Sequence, residues 1–367
     1  MKVLHLIQKS QLRGAEIFAS QLATHINNSG NTAIIVSVFS GQAELPFNGN
    51  IISLNGNPEG RIHDLKAWKK LSQIIKEENP DIIQANAGDT LKYAVFSKII
   101  YRWKQPIVFR NASTISLYIK TWAQKTWNNF LFHFTHKIIS VSNTSALDFA
   151  KLFPKYKHKI ITIPIGIEHG EISKVLNGSI NERVHLNGQG PVIIHVGGFT
   201  FEKNHTSLID IFEQVSRKDA SARLYLVGDG PLKNQIETLV KAKGLESKIK
   251  LCGFQKNAMQ YIRGSDVLIL PSIIEGLPGV ILEAFYCKIP VVAYDVGGIK
   301  EIVINHQTGR LIPNGDENAF ANAILEALKS TPDNQKLIDN AYALVTSQYL
   351  NSQIANRFLN MYNIVAS

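Results

Sequence analysis

Cysteine is nearly absent: Cys252 and Cys287 are the whole complement of a 367-residue chain. A disulfide framework is therefore excluded. Both stand in apolar surroundings, so two buried free thiols in a reducing compartment are expected. No apolar run approaches the roughly 20 residues that cross a bilayer. The opening MKVLHLIQKS is too short and too strand-like for a signal peptide. The turn after the first strand lacks a G-x-G-x-x-G pattern, so a dinucleotide fingerprint is not supported there. Acidic residues are scarce in one half only. Residues 1 to 170 hold 20 Lys and Arg against 10 Asp and Glu, and residues 171 to 367 hold 19 of each, so the whole net charge of +10 lies in the N-terminal half. Such asymmetry points that half toward an anionic partner, a membrane surface or a nucleic acid, or else toward a basic surface kept for solubility.

The chain is too long for one typical core, and its 45% hydrophobic and 19% charged residues are those of a folded globular protein. Short β-rich runs alternate with helical periodicity. Strands are expected at Lys2–Ile7, Ala33–Phe39, Asp81–Asn86, Ile107–Arg110, Lys137–Val141 and Lys159–Ile163. A helix from the Gly14-Ala15-Glu16 turn to Asn28 follows the first strand, and another, Leu65–Glu78, starts after Asp64 and stops at Asn79-Pro80. The polar stretch 170 to 190 then reads as a connection. A second series has strands at Val192–Val196, Arg223–Val227, Lys248–Leu251, Val267–Leu270, Val291–Tyr294 and Arg310–Ile312, with a helix at Ala319–Leu328. The architecture is α/β, with one Rossmann-like domain over 1–170 and a second over 171–349. A terminal helix over 350–367 carries a stripe of Ile354, Phe358, Met361 and Ile364 that must be buried.

Residues 271 to 301, PSIIEGLPGVILEAFYCKIPVVAYDVGGIKE, carry the most chemistry. Gly276 and Gly279 bare the backbone at the mouth of a helix, and Pro278 suits its first turn. Free N–H groups at a helix start are a ready site for a diphosphate. Glu275 and Glu283 flank that site. Carboxylates repel phosphate, so hydroxyls of a ribose and a sugar are their natural targets. The same pattern also describes an ordinary helix start with favourable acidic charge.

Three stretches, HVGGFTFEKNH at 195–205, LYLVGDGPL at 224–232 and PSIIEGLPGVILEAF at 271–285, together resemble the C-terminal domain of the retaining, nucleotide-sugar-dependent glycosyltransferases of family four. The Glu275-to-Glu283 spacing matches that family's signature. Gly14-Ala15-Glu16, KIISVSN and ITIPIGIE resemble its N-terminal half more weakly. The resemblance implies the GT-B fold, two Rossmann-like domains facing across a cleft. The donor would bind mainly to the C-terminal domain, the acceptor to the N-terminal one, and the last helix would pack back on the latter. It implies Lys203 at the donor diphosphate, Glu283 at the ribose, and Glu275 beside the donor sugar. Gly276, Leu277, Pro278 and Gly279 would form the N–H loop, Phe254 would lie near the base, and Gly14 would approach from the other domain. Lys203 and Glu275 are the catalytic candidates. No metal or cofactor is implied, and the sequence has no Asp-x-Asp motif. Four positions depart from the pattern: Gly198 stands where many members carry Arg, Arg13 replaces a glycine, Arg110-Asn111 replace an acceptor-side His, and Lys288 replaces a Gly. Arg13 is a candidate to reach the diphosphate, and no general base is named.

His133 and His136 lie three apart, as two metal ligands on a helix would, but no acidic residue or cysteine lies near them; a half-buried aromatic helix is the bland reading. Lys92–Lys104 and Tyr118–Lys137 interleave basic residues with Trp, Tyr and Phe, as at a membrane interface, on a core-packed basic helix, or where single-stranded nucleic acid is stacked. The reading adopted is a cytoplasmic enzyme, peripheral on the inner face of an anionic membrane, with no nucleic-acid partner. It moves a sugar from a nucleotide-linked donor, taken as UDP, to a glycan or lipid-linked acceptor in cell-surface polysaccharide or lipopolysaccharide synthesis. The alternatives are a nucleotide-sugar epimerase on the same fold and a non-catalytic basic surface-binding protein.

Overall fold

The computed structural model describes residues 1–60, 63–169 and 190–366. The chain forms two compact units, Met1–Gly166 together with Asn351–Ser367, and Ile167–Leu350. The polar stretch expected as a connection lies, apart from Gly190, outside the described residues.

Unit 1 is built on β1 (Lys2–Lys9), β2 (Thr32–Phe39), β3 (Ile51–Ser53), β4 (Ile82–Ala85), β5 (Ile107–Asn111), β6 (Thr135–Ser140) and β7 (Ile160–Thr162). All pair in parallel, in the order β3-β2-β1-β4-β5-β6-β7. Its helices are α1 (Gly14–Asn28), α2 (Leu65–Glu78), α3 (Gly88–Tyr101), α4 (Trp122–His133) and α5 (Asn143–Leu152). The sheet is covered on both faces, so its central strands are buried and largely apolar, as parallel sheets require, with His5, Gln84, Arg110 and Asn111 as buried polar exceptions. Local signals hold at α2: Asp64 accepts the Ala67 N–H at 3.1 Å, and Asn79 closes the helix in the left-handed region before Pro80.

Unit 2 is built on β8 (Val192–Val196), β9 (Arg223–Val227), β10 (Ile249–Gly253), β11 (Val267–Leu270), β12 (Val291–Tyr294) and β13 (Arg310–Ile312), again all parallel, in the order β10-β9-β8-β11-β12-β13. Its helices are α6 (His205–Lys218), α7 (Lys233–Ala242), α8 (Ala258–Arg263), α9 (Gly279–Tyr286), α10 (Glu317–Ala327) and α11 (Pro332–Gln348). In each unit the strand order reverses beside the first strand, at β1/β4 and at β8/β11, which opens a crevice at the carboxyl ends of the strands.

The last helix, α12 (Asn351–Ala366), belongs to unit 1. Ile354, Phe358 and Met361 are buried with Phe18, Leu22 and Ile26 of α1, and the Phe358 and Phe18 rings lie 5.8 Å apart. Ile364, placed in the same stripe from the sequence, is instead exposed, while the next residue, Val365, packs against that core. Two further elements carry weak sequence signals. β3 is a half-buried edge strand of three residues, and α11 buries little besides Asn334, Ala341 and Val345.

Candidate active site

The carboxyl edge of the sheet in unit 2 gathers most of the residues singled out from the sequence. Lys203 ends a tight turn, Phe201–Lys203, and Asn204 follows it in the left-handed region as the N-cap of α6. That turn is tied to the loop after β11 twice: the Ile273 N–H donates to the Glu202 carbonyl at 2.9 Å, and Asn204 Nδ2 donates to the Pro271 carbonyl at 3.2 Å. Across this seam Lys203 Nζ donates to Glu275 Oε1 at 2.5 Å, and only 21% and 10% of the two side chains are exposed.

Glu275 and Gly276 are clamped from behind. The Gly298 N–H donates to the Gly276 carbonyl at 2.9 Å. Gly297 has a φ of +55°, and a Cβ there would stand 1.9 Å from the Glu275 carbonyl oxygen. Gly297-Gly298 is thus the support of the Glu275 loop, a role the sequence showed only as a pair of glycines after a strand. The glycines of the 228–230 turn act the same way on the neighbouring loop. A Cβ at Gly228 would meet the Gly197 carbonyl at 1.9 Å, and the Phe199 N–H donates to the Asp229 carbonyl at 3.0 Å.

Pro278 is the N-cap of α9 rather than a residue of its first turn, and among the described residues no side chain caps the helix. Gly279 opens α9, Glu283 lies half-buried one turn in, and Gly276, Leu277 and Pro278 are buried. The first-turn N–H groups of α9 therefore face the edge where the Lys203–Glu275 pair sits, an arrangement suited to a diphosphate. Gly198 is exposed, and a Cβ there would meet nothing nearer than 3.7 Å, so the missing arginine leaves open space rather than a packed substitute. Phe254 follows β10 and is half exposed at 51%. Gly14 and Arg13 lie in unit 1, where Gly14 begins α1 and Arg13 is its exposed N-cap.

Two histidines missed from the sequence lie under Lys203. His195 Nδ1 stands 3.0 Å from the Ile269 carbonyl, which assigns the proton to Nδ1 and extends the β8–β11 pairing by a side chain. The His205 ring meets it edge-on at 4.9 Å. Burial drives the pKa of His195 well down and that of His205 to about 4, with the Lys203 charge adding to both shifts. Both imidazoles are neutral at pH 7, so the positive charge of the pocket is that of Lys203.

Several expectations are corrected. Cys252 is only half-buried; Cys287 is buried, and its thiol is pushed up to about 12 chiefly by desolvation. His133 ends α4 while His136 belongs to β6, so the segment is no continuous helix. Among the described residues no three His, Cys, Asp or Glu side chains are grouped to hold a metal ion. Lys98 does not face outward as a membrane-binding lysine would. It donates to the Trp103 and Gln105 carbonyls at 3.0 and 2.8 Å and lies over the Trp103 ring. Trp103 and Trp127 pack against the core of unit 1, and the exposed apolar side chains of that region are Ile99, Ile100, Leu117, Tyr118, Trp122 and Phe130. No described helix is long and apolar enough to cross a membrane.

Residues 179–344 match the family described as Glycosyl transferases group 1, and residues 12–171 match Glycosyltransferase Family 4. The chain is 26% identical over 185 residues to the alpha-D-kanosaminyltransferase of Streptomyces kanamyceticus, covering 50% of this chain and 48% of that one, so it spans about half of that relative's length. It is 25% identical over 307 residues to the N-acetyl-alpha-D-glucosaminyl L-malate synthase of Bacillus anthracis, covering 82% and 79%. In fold it is similar to Anabaena HepE, crystallised with UDP-glucose, with a TM-score of 0.81 and 22% identity over 99% of each chain. It is also similar to the sucrose-phosphate synthase of Thermosynechococcus elongatus, with a TM-score of 0.84, 18% identity and coverage of 99% and 98%.

Proposed function

Because the chain belongs to the family-four glycosyltransferases of GT-B fold, we propose that it transfers a sugar, with retained configuration, from a nucleotide-sugar donor to a glycan or lipid-linked acceptor. The observation that carries this reading is the Lys203–Glu275 pair at 2.5 Å beside the uncapped start of α9. In this reading the donor diphosphate lies against the first-turn N–H groups of α9 and takes Lys203 as its counter-charge. The ammonium then stabilises the charge that grows on the leaving group as the glycosidic bond breaks. Glu275, relieved of that partner, orients hydroxyls of the donor sugar, and Glu283 holds the ribose. The charge needed at the diphosphate comes from protein groups, so donor binding requires no divalent ion.

UDP is the proposed nucleotide, in keeping with the UDP-glucose complex of HepE. Unit 1 is the proposed acceptor side. A lipid-linked acceptor is supported by the Campylobacter jejuni diphospho-undecaprenol N-acetylgalactosaminyltransferase, 30% identical over 146 residues, and by the exposed apolar side chains of unit 1 set among Arg102, Lys104, Lys120 and Lys125. Attachment to the inner face of an anionic membrane and a role in cell-surface polysaccharide or lipopolysaccharide synthesis follow from that reading. The test is a thermal-shift screen of nucleotide-sugars with and without chelator, followed by a transfer assay with the stabilising donor. A rise in Tm with a UDP-sugar, insensitive to chelator, is the expected outcome. No response to any nucleotide-sugar, or a strict metal requirement, would reject the assignment.

A further inference from the structure

Arg110 is a buried cation whose donors are not all satisfied among the described residues. It continues the row begun by Val108 on β5, on the sheet face covered by α1, and is 3% exposed. Its guanidinium lies 4.4 Å over the Phe18 ring, and among the described residues its Nε and Nη1 have no hydrogen-bond partner. Desolvation lowers its pKa to about 10, against the pull of Glu16 and Tyr362, so it stays charged at neutral pH. Buried guanidinium groups ordinarily have their donors satisfied, and an uncompensated one is costly.

The neighbouring polar groups are engaged elsewhere. Glu16 accepts from Gln11 Nε2 at 3.0 Å, and burial raises its carboxyl above the usual range. Tyr362 Oη donates to Gln84, Gln84 Nε2 donates to Asn86 Oδ1 at 2.9 Å, and Asn86 Nδ2 donates to the Leu6 carbonyl at 3.1 Å. Arg110 thus stands at the carboxyl end of β5, next to β4 at the crevice where doubly wound sheets take their ligands. The start of α1 lies at the same end: among the described residues no side chain caps that helix, and a Cβ on Gly14 would meet nothing within 4 Å.

We propose that Arg110 is the receptor for an anionic group, a carboxylate or a phosphate, carried by the acceptor substrate and seated beside the first turn of α1. This rests on the assignment of unit 1 to the acceptor and names the acceptor's class as anionic. The anion would supply the acceptor atoms that the guanidinium lacks, and Glu16 would be its competing charge in the empty protein.

Inorganic phosphate and succinate are the probes, each titrated at ionic strength held constant with sodium chloride into the full chain carrying Lys203→Ala, which removes the counter-charge of the proposed donor diphosphate site; the variants below are made in that background. At least one should raise Tm at millimolar concentration. A response to phosphate alone assigns a phosphate-bearing acceptor, one to succinate alone a carboxylate; a response to neither overturns the proposal. Arg110→Met should abolish the response while leaving Tm in plain buffer within about 3 °C of the Lys203→Ala parent, or above it, because an unpaired charge is removed. A response that survives this change overturns the proposal. A folded Arg110→Met protein with a much lower Tm in plain buffer does so too, since the arginine would then be structural. Should Arg110→Met not fold, Glu16→Gln carries the test: relief of like charge should tighten the probe by about threefold or more, and unchanged or weaker binding overturns the proposal. Neither donor nor transfer is measured, so failure here leaves glycosyl transfer standing, whereas failure of glycosyl transfer would leave an anion site at Arg110 and remove its assignment to an acceptor.

Discussion

Lys203 Nζ and Glu275 Oε1 are 2.5 Å apart although 72 residues separate them in the chain. Each charge is balanced before any donor arrives, and the donor diphosphate must compete with Glu275 for the ammonium. Lys203→Ala should therefore weaken donor binding and cut sugar transfer by about tenfold or more, because the contact strengthens as leaving-group charge develops. Glu275→Ala should lower kcat by about tenfold or more while leaving nucleotide affinity unchanged or improved, since Lys203 is released. Steady-state kinetics and calorimetry with the nucleotide separate the two. Equal loss of nucleotide affinity in both variants would contradict the assigned roles.

Gly297→Ala should disrupt the site from behind. Its φ of +55° is unfavourable for any side chain, and its Cβ would overlap the Glu275 carbonyl oxygen at 1.9 Å. A loss of about 2 kcal/mol or more in stability is expected, together with loss of nucleotide-sugar stabilisation. Gly198→Ala, where space is open, should change stability by no more than about 0.5 kcal/mol. Urea melts of both variants check the contrast.

Lys288 is a left-handed residue at the end of α9, with a φ of +57°. The Ile289 N–H donates to the Ala284 carbonyl and the Lys288 N–H to the Phe285 carbonyl, the pairing of a helix terminus that favours glycine. Against this strain stand a 3.8 Å contact with Asp339 and a place over the Tyr342 ring, both half-exposed on the lysine side. Lys288→Gly should be net stabilising by about 0.5 kcal/mol. A destabilised variant in chemical denaturation would show that the surface contacts outweigh the backbone strain.

His5 is held to about 3 and His205 to about 4, both chiefly by burial. Each is neutral when folded at pH 7, whereas in the unfolded chain each takes up a proton below about pH 6.5. Stability should thus be undiminished by these groups above pH 6.5. It should fall as pH drops from there toward 4, by up to about 1.4 kcal/mol per pH unit for each histidine. Among the described residues both ring nitrogens of His5 lack partners, so His5→Leu should fold and lessen this acid sensitivity. Denaturation curves between pH 7 and pH 5 that are parallel for the two proteins would refute it.

Charge reversal at Arg102, Lys104 and Lys125, all exposed, should release the protein from anionic vesicles, and Trp122→Ala should weaken attachment further. Each basic residue near the surface contributes about 1 kcal/mol, and attachment should weaken as salt rises. Lys98→Glu should instead destabilise unit 1, because its ammonium holds the Trp103 and Gln105 carbonyls. Sedimentation with neutral and anionic vesicles checks the first claim, and thermal denaturation the second.

The sequence by itself determined the elements whose signals are local. Val192–Val196, Arg223–Val227, Val267–Leu270 and Val291–Tyr294 are strands with the very bounds their apolar runs suggest, because a strand buried on both faces must be apolar along its length; Arg310–Ile312 keeps its expected bounds too, as a half-buried edge strand. Asp64 as a cap and Asn79-Pro80 as a stop are local in the same sense. The Glu275 and Lys203 motifs, too, are visible as spaced residue types. Tertiary structure alone decided what those residues do to one another: that Gly297 supports the Glu275 carbonyl, that His195 joins β8 to β11, and that Lys98 holds backbone carbonyls instead of facing outward. It alone left Arg110 buried, with no partner for Nε or Nη1 among the described residues. The reason is physical. A helical or strand period reports which side chains are withdrawn from water, but the charge state and strain of a withdrawn group depend on the atoms that meet it there. Those atoms come from segments distant in the chain, brought together only when the sheet closes over them.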